Sequence, residues 1–222
     1  MRLAVISDVH GNRTALAAVL EEIESAAVDR VACLGDIVGY GPNPSACTAS
    51  VRQVADFVVQ GNHDRTVHTP GRYASHPTAG PGLRHAATEL DEEALEWLDS
   101  LPEQRTVDEG SVLLVHSHPE YRGRYVSPYA FETVAQDVDA EVLLLGHTHV
   151  QSAETAAGTL VVNPGSVGQP RDGDADAAYA IVDTETWTAD LRRVEYPIAP
   201  VRDAVESAGL PDEAWQRLTE GR

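Results

Sequence analysis

Several short, unbroken apolar runs in this chain end abruptly in glycine or polar residues. Val142-Leu143-Leu144-Leu145 stops at Gly146, and His147-Thr148-His149 follow. Four apolar residues without polar alternation predict a strand buried on both faces, the pattern of parallel sheets. Leu3-Ala4-Val5-Ile6 stops at Ser7-Asp8-Val9-His10, and Val31-Ala32-Cys33-Leu34 stops at Gly35-Asp36. Phe57-Val58-Val59 gives way to Gln60-Gly61-Asn62-His63-Asp64, and Val112-Leu113-Leu114-Val115 gives way to His116.

Between these runs the spacing turns helical. Ala15, Leu16, Val19, Leu20 and Ile23 fall on one helical face, with Asn12 as the N-cap. Strand, helix and strand in that order imply a right-handed parallel crossover. Residues 35–44 form a long loop rich in Gly and Pro, a kind that often carries function. Pro44 can open the next helix, which runs to about Val54. Residues 69–82 show no periodicity and read as a surface excursion. Helical patterns follow at 83–90 and 91–98. Residues 104–107 and 112–115 predict a hairpin, and Ser127-Pro128 the cap and first turn of a helix ending near Val138. After His149 the pattern changes to antiparallel strands at 150–155, 159–162, 177–182 and 187–194. Residues 201–218 read as helix in two pieces, broken at Gly209 and Pro211.

The length suits one domain spanning 1–222, with a C-terminal helical segment at about 198–220. Cys33 and Cys47 lack a metal-ligand spacing, and Cys33 sits in an apolar run as a structural thiol would. The chain enters a strand at once, without the charged and apolar regions of a signal peptide. No run approaches the roughly 18 apolar residues of a spanning helix. A cytoplasmic protein is expected. The formal net charge is -19, and all 16 basic residues are arginine. The acids are spread along the chain, which favours an acid coat suited to a salty, halophilic cytoplasm over an acidic tail. The charge argues against general nucleic-acid backbone binding, which needs a basic stripe.

Five buried strands each followed by a metal-competent side chain point to one shared site, because ligands of open α/β sheets bind outside the carboxyl ends of the strands. The candidates are Asp8, His10, Asp36, Asn62, His116, His147 and His149. Mixed carboxylate, imidazole and amide oxygen suits Mn²⁺, with Fe²⁺, Zn²⁺ or Ni²⁺ as alternatives, rather than a soft thiolate metal. These are more ligands than one tetrahedral ion uses, so two divalent metal ions are expected. Two ions about 3.5–4 Å apart form a clamp for in-line displacement at phosphorus. Asp36, alone at its strand end, fits a bridging role. Asp64 reads as a hydrogen-bond partner that fixes the loop. Arg171 can clamp a phosphate oxygen, and it can equally be a surface charge or a partner for nearby aspartates. Tyr40 fits either a pocket lining or ordinary packing. His68, His76 and His85 lie outside every motif and read as solvated.

Asp8-x-His10, Gly35-Asp36, Gly61-Asn62-His63-Asp64, His116 and Gly146-His147-x-His149, in that order, resemble the calcineurin-like metallophosphoesterases. The resemblance covers residues 2 to about 194. It implies an α/β fold, a sandwich of two mixed β-sheets flanked by helices. It also implies that Asp8, His10, Asp36 and His149 hold one metal, that Asp36, Asn62, His116 and His147 hold the other, and that His63 is the general acid.

The loop 35–44 and the segment Asn163-Pro164-Gly165-Ser166-Val167-Gly168-Gln169-Pro170-Arg171 are similar to the small prokaryotic branch called YfcE-like phosphodiesterases. That branch usually has Gly after the fourth-motif histidine. Here Ser117 and His118 follow, which makes His118 a rival ligand; His116 is preferred because it directly follows the strand. The resemblance implies a phosphodiesterase in which a hydroxide bridging the two ions attacks phosphorus. A phosphomonoesterase and a dinucleotide polyphosphate hydrolase are the alternatives. The protein phosphatases of this superfamily carry Asp-Arg-Gly after the second motif and Glu after the Asn-His of the third, where this chain has Ile37-Val38-Gly39 and Asp64. A non-catalytic metal-binding scaffold is disfavoured because every ligand position and His63 are present. The expected partner is a small phosphoester substrate, with no membrane; homo-oligomerisation stays open.

Overall fold

The computed structural model describes residues 1–222. The apolar runs become strands in the expected order. β1 (Arg2–Ile6) leads into α1 (Arg13–Ser25), β2 (Arg30–Cys33), α2 (Pro44–Val54) and β3 (Phe57–Val58). The Asn12 side chain accepts the Ala15 N–H at 3.1 Å and so starts α1, while Pro44 occupies the first turn of α2. Three helices follow: α3 (Asn62–Thr66), α4 (Ala79–Glu89) and α5 (Glu92–Ser100). Then come β4 (Gln104–Val107), β5 (Val112–Val115), α6 (Phe131–Ala135) and β6 (Val142–Leu144). β7 (Ser152–Ala156), β8 (Thr159–Asn163), β9 (Ala177–Asp183) and β10 (Thr188–Val194) precede α7 (Ile198–Ser207) and α8 (Glu213–Gln216).

The strands make two five-stranded sheets, ordered β10-β9-β1-β2-β3 and β4-β5-β6-β8-β7. In the first, β1, β2 and β3 are parallel, and β9 joins β1 antiparallel. In the second, β5, β6 and β8 are parallel, with β4 and β7 antiparallel at the edges. Both sheets are therefore mixed.

Strand alternation sorts the core into layers. Leu3 and Val5 of β1 face Leu114, Val142, Leu144 and Val162 of the other sheet. Ala4 and Ile6 face the helices instead, meeting Leu16, Val19 and Val51. Leu143 and Val161 turn outward onto Phe131 and Val134 of α6. The result is helices, sheet, sheet, helix. Residues 142–145 are fully buried, as an unbroken apolar run requires. No helix is long and apolar enough to cross a membrane.

Two segments depart from the expected pattern. The helix expected to end near Val138 is a 3-10 turn, Pro128–Ala130, and the five residues of α6, followed by tight turns such as Val138 N–H to Ala135 O at 3.2 Å. Asp137 and Asp139 are weak helix formers, which favours the early stop. The excursion 69–82 carries a 3-10 turn, Pro70–Tyr73, and the start of α4. α7 packs on α1, and Val201, Val205, Ala214 and Leu218 join the helix-side core that holds Leu16 and Val19. That docking brings the final 3-10 turn, Arg217–Glu220, to the ends of the parallel strands.

Candidate metal centre

All seven candidate ligands lie just beyond the C-termini of parallel strands, four from one sheet and three from the other. The backbone there is forced. Asp8, His10, Asp36, Tyr40, His147 and His149 all have φ between 47° and 69°, and they make up six of the eleven non-glycine residues with positive φ. Such a conformation costs about 1–3 kcal/mol per residue and collects where function requires it. The segment after β8 braces the first loop: Ser166 Oγ donates to Asp8 O at 2.7 Å and Gly168 N–H donates to the same carbonyl at 3.0 Å.

Asp8, His10 and His149 form the first cluster, and all three are buried. Asp8 Oδ2 accepts Ser7 Oγ–H at 2.7 Å and the His147 N–H at 3.0 Å. Asp8 Oδ1 has no hydrogen-bond partner and sits 3.2 Å from His149 Nε2. Burial alone would raise the Asp8 carboxyl, but His149 and His10 hold it well below its ordinary value. Burial brings His149 down to about 4, against the pull of Asp8. His149 Nδ1 donates to Gln169 O at 2.6 Å and His10 Nδ1 to Val38 O at 3.0 Å. These carbonyls orient the rings, so the two Nε2 atoms face each other at 3.1 Å. An orphaned carboxylate oxygen and two facing imidazole nitrogens fit a cation.

Asp36, Asn62, His116 and His147 form the second cluster. Asp36 Oδ1 accepts the His63 N–H at 2.8 Å, leaving Oδ2 3.4 Å from His116 Nε2 and 3.7 Å from His10 Nε2. One oxygen thus faces both clusters. His116 Nε2 lies 3.1 Å from Asn62 Oδ1 and 3.2 Å from His147 Nδ1. The Asn62 amide donates to Tyr73 OH at 2.9 Å, which turns its oxygen inward. Burial opposes a charge on His116, yet Asp36 draws it up to about 9.

His63 lies in the first turn of α3, beside Asp36. Burial pushes its imidazole down to about 3, with Asp36 opposing, and its Nδ1 has no hydrogen-bond partner. Asp64 fixes the loop as the sequence suggests. Its Oδ2 accepts the N–H groups of Asp36 (2.7 Å) and Gly61 (3.0 Å), and its Oδ1 those of Ile37 (2.8 Å) and Val38 (3.3 Å). Two of the glycines here leave room that ligand and catalyst side chains fill. A Cβ on Gly61 would strike the Asp36 carboxylate, and one on Gly39, at φ +90°, would strike the His63 ring.

Two cavities open at this centre and share Asn62. One, of about 160 Å³, is lined by Asp36, His63, His147 and His149 together with Tyr40, Tyr73, His76, Tyr125, Arg171 and Arg217. The other, of about 310 Å³, is polar and includes His116, Arg65 and Arg122. Arg171 and Tyr40 are thus at the site, and Arg171 is paired with no carboxylate; Arg193 takes nearby Asp172 instead. His118 lies apart, accepting the Glu120 N–H at 3.2 Å with its Nδ1. Of the histidines read as solvated, only His68 is exposed. His85 bonds Pro42 O at 2.9 Å, and His76 packs edge-on to Tyr40, 5.9 Å between ring centroids. Tyr73, Tyr125, His76 and Arg217 escaped the sequence reading. The aperiodic loop directly after the third motif was the one available signal for Tyr73 and His76.

This fold is that of the metallophosphoesterases. The crystal structure of a metallophosphoesterase from Sphaerobacter thermophilus matches it with a TM-score of 0.86 and 35% sequence identity, covering 100% of both chains. The calcineurin-like phosphoesterase superfamily domain matches residues 1–187, and the chain belongs to that superfamily. An uncharacterized protein of Methanocaldococcus jannaschii is 32% identical over 99% of this chain and 98% of its own. The phosphodiesterase YfcE of Escherichia coli is 26% identical over 83% of this chain and 89% of its own.

Proposed function

We propose that this protein is a dinuclear metal-dependent phosphoesterase acting on phosphodiesters. One observation carries the reading: Asp36 Oδ2 lies 3.7 Å from His10 Nε2 and 3.4 Å from His116 Nε2, so a single carboxylate can serve a cation on each side. Asp8, His10, Asp36 and His149 hold one cation. Asp36, Asn62, His116 and His147 hold the other, Mn²⁺ being the best match to these donors. Two such ions supply charge at phosphorus and an activated water.

The protein's own groups do the rest. The carbonyls of Val38, Gln169 and Leu34 hold His10, His149 and His116 in the tautomers that face the cations. His63 delivers a proton to the leaving oxygen. Burial keeps its imidazole neutral in the free protein, and an anionic phosphoryl group beside it favours the protonated form. The two cavities that meet at Asn62 give a phosphorus atom room for substituents on two sides, which supports a diester. The phosphodiesterase name of the YfcE relative supports the same choice. The substrate is small, and the setting is a salty cytoplasm, in keeping with a net charge of -19.

Turnover of bis(p-nitrophenyl) phosphate and of p-nitrophenyl phosphate, each with EDTA and with Mn²⁺, tests this. Metal-dependent hydrolysis is expected, faster on the diester. A faster monoester would replace the diester assignment. Two bound metals with no turnover of either would point to a scaffold.

A further inference from the structure

Two arginines from distant parts of the chain both line the smaller cavity, close enough for each charge to bear on the other. Arg171 is tied to the metal centre through its backbone N–H, which donates to His149 O at 3.0 Å. Its guanidinium donates to Gln169 Oε1 through Nη2 (2.6 Å) and Nε (3.2 Å), and to Tyr40 OH through Nη2 (3.3 Å). Its Cζ stands 5.6 Å from the centroid of the Tyr40 ring. Those contacts fix the plane and leave Nη1 without a protein acceptor. Arg217 arrives from the 3-10 turn after α8, beyond the residues matched by the superfamily domain. Its Nε donates to Arg222 O at 2.9 Å, and neither of its Nη groups has a protein acceptor.

Neither guanidinium is paired with an aspartate or glutamate, in a chain of 35 such residues and 16 arginines, and the one oxygen that Arg217 meets is that of Arg222, the last residue. Half-buried Arg193, by contrast, is paired with Asp172. Burial and the neighbouring Arg171 charge both weigh against the Arg217 charge. Two like charges held at one cavity, with N–H groups to spare, are relieved by an anion. Two polar neighbours line the same cavity. Tyr40 OH is the first, and His76 the second. His76 Nδ1 accepts the Ala79 N–H at 3.1 Å, which leaves its Nε2–H as a donor.

We propose that Arg171 and Arg217, with Tyr40 and His76, form an anion subsite for a second phosphate of the substrate, separate from the phosphoryl group that reacts. The substrate class is then a small phosphoester carrying another phosphate. The assignment of the reacting group rests on the function proposed above; the anion subsite itself does not require metal.

Calorimetric titration of inorganic phosphate into EDTA-stripped protein, at constant chloride, separates the two. Wild type should bind phosphate without metal, and Asp8→Asn, which impairs the metal centre, should bind it equally. Arg217→Gln should weaken binding at least about tenfold, as expected for lost bonds to a charged group. Arg217→Lys, which keeps the charge, should recover part of the loss. Phosphate binding that appears only with metal, or that Arg217→Gln leaves intact, overturns the proposal. With metal present, thymidine 5′-(p-nitrophenyl phosphate) and its 3′-phosphorylated form provide the second readout. The 3′-phosphate should lower KM in wild type, and Arg217→Gln should bring the two KM values together. An unchanged KM ratio in the variant also overturns the proposal. If neither diester turns over but stripped protein still binds phosphate through Arg217, the phosphoesterase reading fails and the subsite stands.

Discussion

His10 Nε2 and His149 Nε2 face each other at 3.1 Å, because each ring spends its Nδ1–H on a backbone carbonyl. A cation between them takes both nitrogens in a geometry that only the folded chain provides, so it binds the folded state in preference to the unfolded one. Saturating metal at about 100 times Kd adds about 2.7 kcal/mol, a rise in Tm of about 5–10 °C for a chain of this size. Thermal unfolding of EDTA-stripped protein with and without Mn²⁺ measures it. Asp8→Asn should shrink the rise. A Tm indifferent to metal would mean that the cluster is a hydrogen-bonded core and nothing more.

Asp36→Asn should lower the metal content per chain. An amide lacks the charge that holds two cations close together. Elemental analysis of purified wild type and variant gives the ratio. Equal content would move the bridging role to another residue.

His63→Asn should keep the metals and the fold yet slow diester cleavage by about 10²–10⁴-fold, the usual cost of removing a general acid. A nitrophenolate leaves without a proton, so an activated diester should lose less rate than a nucleotide diester. Equal losses on the two substrates, or loss of metal, would remove His63 from the acid's role.

Asp64→Asn replaces one oxygen that accepts backbone N–H groups with a donor. Each buried N–H left unmet costs about 1–3 kcal/mol. The variant should melt lower and retain less metal, because the same carboxylate anchors the backbone of Asp36, Ile37 and Val38. Wild-type stability together with wild-type metal content would contradict this account.

Thermal unfolding from low to molar KCl should show a rising midpoint. A net charge of -19 repels itself when screening is weak, and the Debye length falls to about 3 Å at 1 M salt. A flat midpoint would remove the halophilic reading.

The strands and their terminal residues were legible because a strand buried on both faces leaves one plain signal, an unbroken apolar run. Asn12, Pro44 and Asp64 were legible for a similar reason: caps and loop anchors act within a few residues or beside a motif. Strand neighbours were not legible. Nothing local in residues 177–183 says that β9 lies antiparallel beside β1, or that β8 lies parallel to β6. His76 read as solvated because its own segment lacks periodicity; its contact with Tyr40 is made by packing across the loop. Arg217 is one polar residue in a helical tail. Its place at the cavity follows from the docking of Val201, Val205 and Leu218 into the helix-side core, which no spacing encodes.

The centre is divided between two sheets whose strands interleave along the chain, β4 to β8 falling between β3 and β9. His10 must wait for His149, 139 residues later. At a synthesis rate of about 5–20 residues per second that interval is on the order of ten seconds. During it Asp8, His10, Asp36 and Asn62 lack the histidines of the second sheet, and β1 lacks its antiparallel neighbour β9. The set is complete only when His116, His147 and His149 stand beside the ends of β1 and β2, so a cation held there would join early and late parts of the chain in one contact.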